Sequence, residues 1–154
     1  MINNDILRRL RYIFDFDDSK MIALFGLADL EVTRSQVSDW LKKEDDPAHQ
    51  NCTDEQLAIF LNGLINDKRG KKDGPQPEPE KCLTNNIIFR KLKIALDLKA
   101  DDILDLLKLV NLRMSKHELS AFFRRPNHKN YRDCKDQILR NFLNGVQLKY
   151  RDTI

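Results

Sequence analysis

The sequence predicts an all-α protein made of two tandem copies of a four-helix module, and three observations carry that prediction. The first is an internal repeat. Shifting the 154-residue chain against itself by 82 positions aligns residues 3–70 with 85–152 without a gap, and about a quarter of the aligned positions are identical. Asn3-Asn4 falls on Asn85-Asn86, Arg8 on Arg90, Leu10 on Leu92 and Asp15 on Asp97. Leu24, Leu27 and Leu30 fall on Leu106, Leu109 and Leu112, Cys52 on Cys134, and Phe60-Leu61-Asn62-Gly63 on Phe142-Leu143-Asn144-Gly145. The second observation is that apolar residues recur at helical spacing in both copies, with no strand-like alternation. The third is the segment Gly70-Lys71-Lys72-Asp73-Gly74-Pro75-Gln76-Pro77-Glu78-Pro79-Glu80, whose prolines and glycines break any helix and whose charges favour water. It makes residues 71–84 a linker.

The first helix is expected from about Asn4 to Phe14. Asn3 or Asn4 serves as its N-cap, and Ile6, Leu7, Leu10, Ile13 and Phe14 share one face. Asp17, Asp18 and Ser19 offer caps and negative charge to the start of a second helix that carries Met21, Ile22, Phe25 and Leu27. Thr33 caps a third with Val37, Trp40 and Leu41. The fourth starts at Thr53-Asp54-Glu55-Gln56, a capping box, and presents Leu57, Phe60, Leu61, Leu64 and Ile65. The second copy repeats the scheme with Ile88, Phe89, Leu92, Ile103, Leu106, Leu119, Phe122, Leu139 and Phe142 among its apolar positions. The linker lets the copies sit apart or fold back on each other; each core is small and a related copy offers a matching surface, which makes a pseudo-twofold pair an attractive arrangement without deciding between the two.

Composition narrows the function classes. With 41% hydrophobic residues and a mean hydropathy of -0.57, the chain fits neither a disordered nor a fibrous class. No apolar run is long enough to span a bilayer, and the start lacks the pattern of a secretory leader, so a cytoplasmic protein is expected. Cys52, Cys82 and Cys134 are odd in number and widely spaced, which indicates free thiols rather than a disulfide framework or a zinc site. No HExxH, GxSxG, GxxxxGK[ST] or GxGxxG motif occurs, and no cofactor, metal site or catalytic residue is expected. His128 precedes Cys134 as His49 precedes Cys52, but a cysteine recurring at the start of a helix reads as a small buried hydrophobe. The consecutive Glu44, Asp45 and Asp46 lack the spacing of a calcium loop.

Charge separates the two copies. Residues 3–70 hold nine Lys plus Arg and thirteen Asp plus Glu, a net of -4, whereas residues 85–152 hold fifteen and eight, a net of +7. The contrast peaks after the third helix. There Lys42-Lys43-Glu44-Asp45-Asp46-Pro47 aligns with a segment containing Arg124, Arg125, His128, Lys129, Tyr131 and Arg132. Those six residues are the candidate site for nucleic acid or another anion: Arg and Lys neutralise phosphates, and Tyr offers a stacking face. An ordinary solvated loop has the same composition. The second and third helices of each copy also admit a helix-turn-helix reading, with turns at Leu30-Glu31-Val32-Thr33 and Leu112-Arg113-Met114-Ser115. The usual glycine is replaced there by Glu31 and Arg113. In that reading Arg34, Ser35, Ser38 and Asp39 are exposed in the first copy, and Lys116, His117, Ser120 and Arg124 in the second.

Several segments together resemble a known family. Asn3-Asn4-Asp5-Ile6-Leu7-Arg8, Glu31-Val32-Thr33 through Trp40-Leu41-Lys42-Lys43-Glu44-Asp45-Asp46-Pro47, Phe60-Leu61-Asn62-Gly63-Leu64-Ile65 and His128-Lys129-Asn130-Tyr131-Arg132-Asp133-Cys134 are similar to the YehS-like family of bacterial proteins. That family is a tandem domain of unknown function. The resemblance spans both copies and the linker, implies a bacterial cytoplasmic source, and assigns no activity, substrate or site residue. The functional expectation is therefore a non-catalytic binding or adaptor protein whose basic second copy meets nucleic acid or an acidic protein. The alternative is a self-association module, a homo-oligomer in which acidic and basic copies pair.

Overall fold

A computed structural model describes residues 1–152, and the helices among them are α1 (Asn3–Phe14), α2 (Asp18–Leu27), α3 (Arg34–Leu41), α4 (Asp54–Arg69), α5 (Asn85–Ala95), α6 (Ala100–Lys108), α7 (Lys116–Ala121) and α8 (Asp136–Tyr150). No strand occurs among the described residues. The chain divides into two units, Met1–Leu83 and Thr84–Ile154, with four helices in each. Helices α1, α2, α3 and α4 begin 82 residues before α5, α6, α7 and α8, so the repeat in the sequence is a repeat in the backbone. No helix is long and apolar enough to cross a membrane among the described residues.

In the first unit α2 packs on α3 and α4, and α1 closes against the same two helices. In the second, α6 packs on α7 and α8, and α5 lies on α8. The crossing of α2 with α4 explains the repeated Asn-Gly. A Cβ on Gly63 would stand 1.7 Å from the Leu24 carbonyl oxygen, and one on Gly145 would stand 2.4 Å from that of Leu106. Only glycine admits so close an approach of two backbones. Asp15 and Asp97 adopt left-handed conformations, φ 54° and 53°, after α1 and α5; Asp29 and Asn111 do so after α2 and α6, φ 67° and 60°. Asp and Asn tolerate that region better than other side chains with a Cβ.

The cores differ by a compensated exchange. Phe25 on α2 is the aromatic centre of the first unit, its ring 5.3 Å from Trp40 and 5.2 Å from Phe60. Its counterpart is Leu107, and Phe89 stands where the first unit has Leu7. Phe89 then lies 4.6 Å from Phe142 and 6.3 Å from Phe122. The bulky ring has moved to another helix while the leucine took its place, which keeps the combined volume of these two positions, as close packing favours.

Capping follows the sequence for the most part. Asp17 Oδ1 accepts from Lys20 N at 2.7 Å, and Thr33 and Thr53 make reciprocal boxes with Gln36 and Gln56. The expectation for α1 is corrected. Ile2 occupies the cap position, and Asn3 and Asn4 lie inside the helix with their side chains committed elsewhere. The linker also does more than separate the copies. Asn66 Nδ2 donates to Gln76 Oε1 at 3.0 Å and to Leu27 O at 2.9 Å, and Leu83 N donates to Asp54 Oδ2 at 2.8 Å, which ties residues of 71–84 to the first unit.

Candidate functional site

The candidate site is built on a frame that both units share. Buried Asn86, near the start of α5, donates through Nδ2 to Phe122 O at 3.0 Å and Arg132 O at 2.8 Å, and its Oδ1 accepts from Cys134 N at 2.9 Å. Asn85 donates to Cys134 O and to Asp136 Oδ1, at 3.0 and 2.7 Å, and this bond holds the Asp136 carboxyl below the usual carboxylate range. One asparagine pair thus pins both ends of the segment between α7 and α8. Asn4 and Asn3 do the same in the first unit, to Trp40 O, Gln50 O, Cys52 and Asp54. Asn4 and Asn86 are buried and Asn3 and Asn85 half-buried, and all four are hydrogen-bonded, so the segment is held in place rather than draped over the surface.

On that frame the two segments carry opposite chemistry. In the first unit Lys42 Nζ donates to Asp39 Oδ1 at 2.7 Å, a bond that raises the ammonium's pKa, and Glu44, Asp45 and Asp46 are exposed. In the second unit alanine, Ala121, stands at the position of Asp39, and Arg124 stands at that of Lys42. Among the described residues Arg124, Arg125, Lys129 and Arg132 form no ion pair within 4 Å. Arg125, His128, Lys129 and Arg132 are exposed, while Arg124 and Tyr131 are half-buried.

Two of the six candidates have structural work. His128 Nδ1 accepts from Asn130 N at 3.0 Å, the same bond that Asp46 Oδ1 makes with Ala48 N at 2.9 Å in the first unit. The imidazole therefore replaces an aspartate as the acceptor of a tight turn. Tyr131 is hydrogen-bonded to Asp133, and partial burial, then the Asp133 charge and this bond, push its phenol above the ordinary value. Arg132 faces the Glu118 carboxylate, whose pKa is lowered by its Ser115 bonds and, to a lesser degree, by the Arg132 charge, and Arg124, Arg125 and Lys129 are the cations of the segment left to meet a ligand.

The segment opens on a groove of about 510 Å³ in the second unit that sequence reasoning missed. Apolar Leu112, Met114, Phe122 and Ile138 line it together with the cations Arg113, Arg132 and Lys135 and the acids Glu118 and Asp133. Its acids are committed. Glu118 Oε1 accepts from Ser115 N in the cap of α7, and the Ser115 bonds, with the charge of Arg132 as a lesser cause, hold the carboxyl below its usual range, while Asp133 is engaged by Tyr131. At the positions of Arg113, Arg132 and Lys135 the first unit has Glu31, Gln50 and Thr53. The exchange of Thr53 for Lys135 is notable because α8 has lost its side-chain cap and gained a cation at its positive end. The repeat alignment holds all three exchanges. They escaped notice because their meaning depends on the corner after α6 meeting the start of α8.

The corner between α2 and α3 is longer than a helix-turn-helix turn of three to four residues. Residues 28–33 separate Leu27 from Arg34, and the left-handed residue is Asp29, with Asn111 in the second unit, rather than Glu31 or Arg113. Cys52 and Cys134 are buried, and desolvation pushes each thiol up to about 12, so both stay protonated at neutral pH. Among the described residues no group of three or more His, Cys, Asp or Glu is arranged to hold a metal ion.

Comparison with known proteins places these features in a family. The chain is 46% identical over 147 residues to the uncharacterized protein YehS of Escherichia coli (strain K12), which covers 95% of this chain and 94% of that protein. No solved structure matches it. Residues 3–70 and 85–152 each match the model of one family, so the chain belongs to the proteins of unknown function (DUF1456) and carries that domain twice in tandem.

Proposed function

We propose that this protein is a non-catalytic binding or adaptor module whose second repeat holds an anionic partner, with nucleic acid as the partner its chemistry suits best. One observation carries the reading. The same asparagine-pinned segment carries internally neutralised Lys42 and exposed acids in the first repeat, but Arg124, Arg125 and Lys129 without ion-pair partners in the second. Cations kept out of internal pairs retain their full attraction for phosphates. The cytoplasm is the compartment this reading assumes, and three free cysteines support it.

A gel-shift titration of the full chain against DNA and RNA at rising salt tests it. Binding is expected to weaken linearly on a log-log plot, and the triple variant Arg124→Glu, Arg125→Glu, Lys129→Glu is expected to lose it. No retardation at low salt sinks the nucleic-acid reading. The charge split of the repeats also suits self-association, acidic repeat to basic repeat, with an acidic protein as a related partner. Light scattering that finds a salt-independent monomer removes that second reading.

A further inference from the structure

A double helix and a single strand make different demands on a protein surface. A duplex hides the faces of its bases and presents phosphates on a convex exterior, and it is commonly read by a helix lying in the major groove. The helix at that place in the second repeat, α7, has six residues and is about 9 Å long. A single strand exposes phosphates and base faces together, and it suits a concave surface that is apolar within and cationic at the edge.

The second repeat has such a surface. Its groove, about 510 Å³, falls within the roughly 300–1,000 Å³ of pockets that enclose small molecules, and its lining joins apolar Leu112, Met114, Phe122 and Ile138 to three cations. We propose that this groove seats one unstacked base of a single-stranded nucleic acid against Met114, Phe122 and Ile138, with Arg113, Arg132 and Lys135 holding the adjoining phosphates. The proposal rests on the reading of the second repeat as a nucleic-acid binder and narrows it to single strands.

Two further observations support this occupant. Arg132 belongs both to the groove and to the basic segment, so the groove adjoins the segment that carries Lys129, Arg125 and Arg124. The first repeat, with the same fold, has been stripped of every cation at the corresponding positions: Glu31, Gln50 and Thr53 stand there, and the Gln56 side chain that aligns with Ile138 is taken up by the cap of α4. The groove chemistry belongs to one repeat and is not a by-product of the fold.

The test uses the full chain and fluorescence anisotropy with three probes: an oligothymidylate of about ten nucleotides, an abasic strand of equal length and a hairpin duplex. The oligothymidylate is expected to bind about tenfold more tightly than either of the others, the difference from the abasic strand being the contribution of the bases. The variant Arg113→Glu, Lys135→Thr installs residues that the first repeat carries on the same backbone, and circular dichroism checks its fold. It is expected to weaken the oligothymidylate about tenfold and the duplex less than about threefold. Arg113→Gln, at an exposed position, carries the same comparison should the double variant fail to fold. Equal affinity for the thymidylate and abasic strands, or an equal loss for duplex and single strand in the variant, overturns the groove proposal alone. Absence of binding to all three probes overturns the reading of the second repeat with it.

Discussion

The two repeats keep what lies beneath the surface and exchange what lies on it. Asn4 and Asn86, Gly63 and Gly145, and Cys52 and Cys134 occupy equivalent places with equivalent bonds or contacts, whereas Asp39, Glu31 and Thr53 have become Ala121, Arg113 and Lys135. A duplicated module therefore contains its own control. A feature shared by both units is explained by the fold, and a feature confined to one requires another cause. By that test the asparagine clamp is architecture, while the cations of the second unit lie outside what the fold demands.

The largest effects are expected where the repeats agree. Gly63→Ala places a methyl group where the Leu24 carbonyl oxygen already sits 1.7 Å away, and Gly145→Ala meets Leu106 at 2.4 Å. Overpacking costs about 1–3 kcal/mol in ordinary cores, and a clash with backbone puts Gly63→Ala at the upper end or beyond. Urea denaturation is expected to rank Gly63→Ala above Gly145→Ala, and the reverse order breaks the claim that the α2–α4 crossing is the tighter one. Asn86→Ala leaves two carbonyls and the Cys134 N–H without their side-chain partner, at about 1–3 kcal/mol for each buried group left unsatisfied. Asn4→Ala is expected to cost a similar amount. A cost confined to one repeat means that the clamp is not common architecture.

The clamp also marks what sequence reading reached. The repeat, the helix count and the caps Asp17, Thr33 and Thr53 follow from local chemistry, and local chemistry is legible in one dimension. Asn3 and Asn4 also fit the chemistry of an N-cap, but Asn3 reaches across to the start of α4 and Asn4 to the end of α3, and only the fold shows those longer bonds. The basic segment was visible because its cations are contiguous. The groove was not, because Arg113 and Lys135 lie on different elements and become one site through packing.

The thiols give the next effect. Folding raises Cys52 and Cys134 from an ordinary value near 9 to about 12, so the folded state keeps protons that the unfolded chain releases. Their contribution is present below about pH 9 and is lost as pH rises from there toward 12, by at most about 1.4 kcal/mol per pH unit for each thiol. Cys52→Ala, Cys134→Ala is expected to flatten that alkaline fall in a urea series. In the native protein a thiol reagent is expected to label exposed Cys82 alone within minutes. Rapid labelling of three thiols contradicts the burial that both repeats share.

Lys135→Thr sharpens the contrast at moderate cost. It restores to α8 the kind of cap that Thr53 gives α4 and removes a cation from the helix N-terminus, so the protein is expected to gain about 1 kcal/mol while binding weakens. A gain in stability with a loss of binding identifies the lysine as kept for its ligand. Unchanged binding reduces it to drift.

The smallest expected effect on binding belongs to the substitution that speaks most directly to the charge exchange. Ala121→Asp recreates opposite Arg124 the carboxylate that neutralises Lys42 in the first repeat, and Asp39→Ala removes it there. The Lys42–Asp39 pair is half-buried and Asp39→Ala is expected to move the urea midpoint little, whereas Ala121 is buried, so Ala121→Asp is expected to cost about 1 kcal/mol and circular dichroism checks that it still folds. Binding is another matter. An arginine already paired releases no counterion on meeting a phosphate, and Ala121→Asp is expected to lower the slope of log affinity against log salt by about one. Asp39→Ala frees a lysine in a segment still dominated by Glu44, Asp45 and Asp46, and is expected to leave the slope where it was. Equal slopes for wild type and Ala121→Asp make the unpaired state of Arg124 irrelevant to binding, and the charge exchange between the repeats then has to be explained without a ligand at that segment.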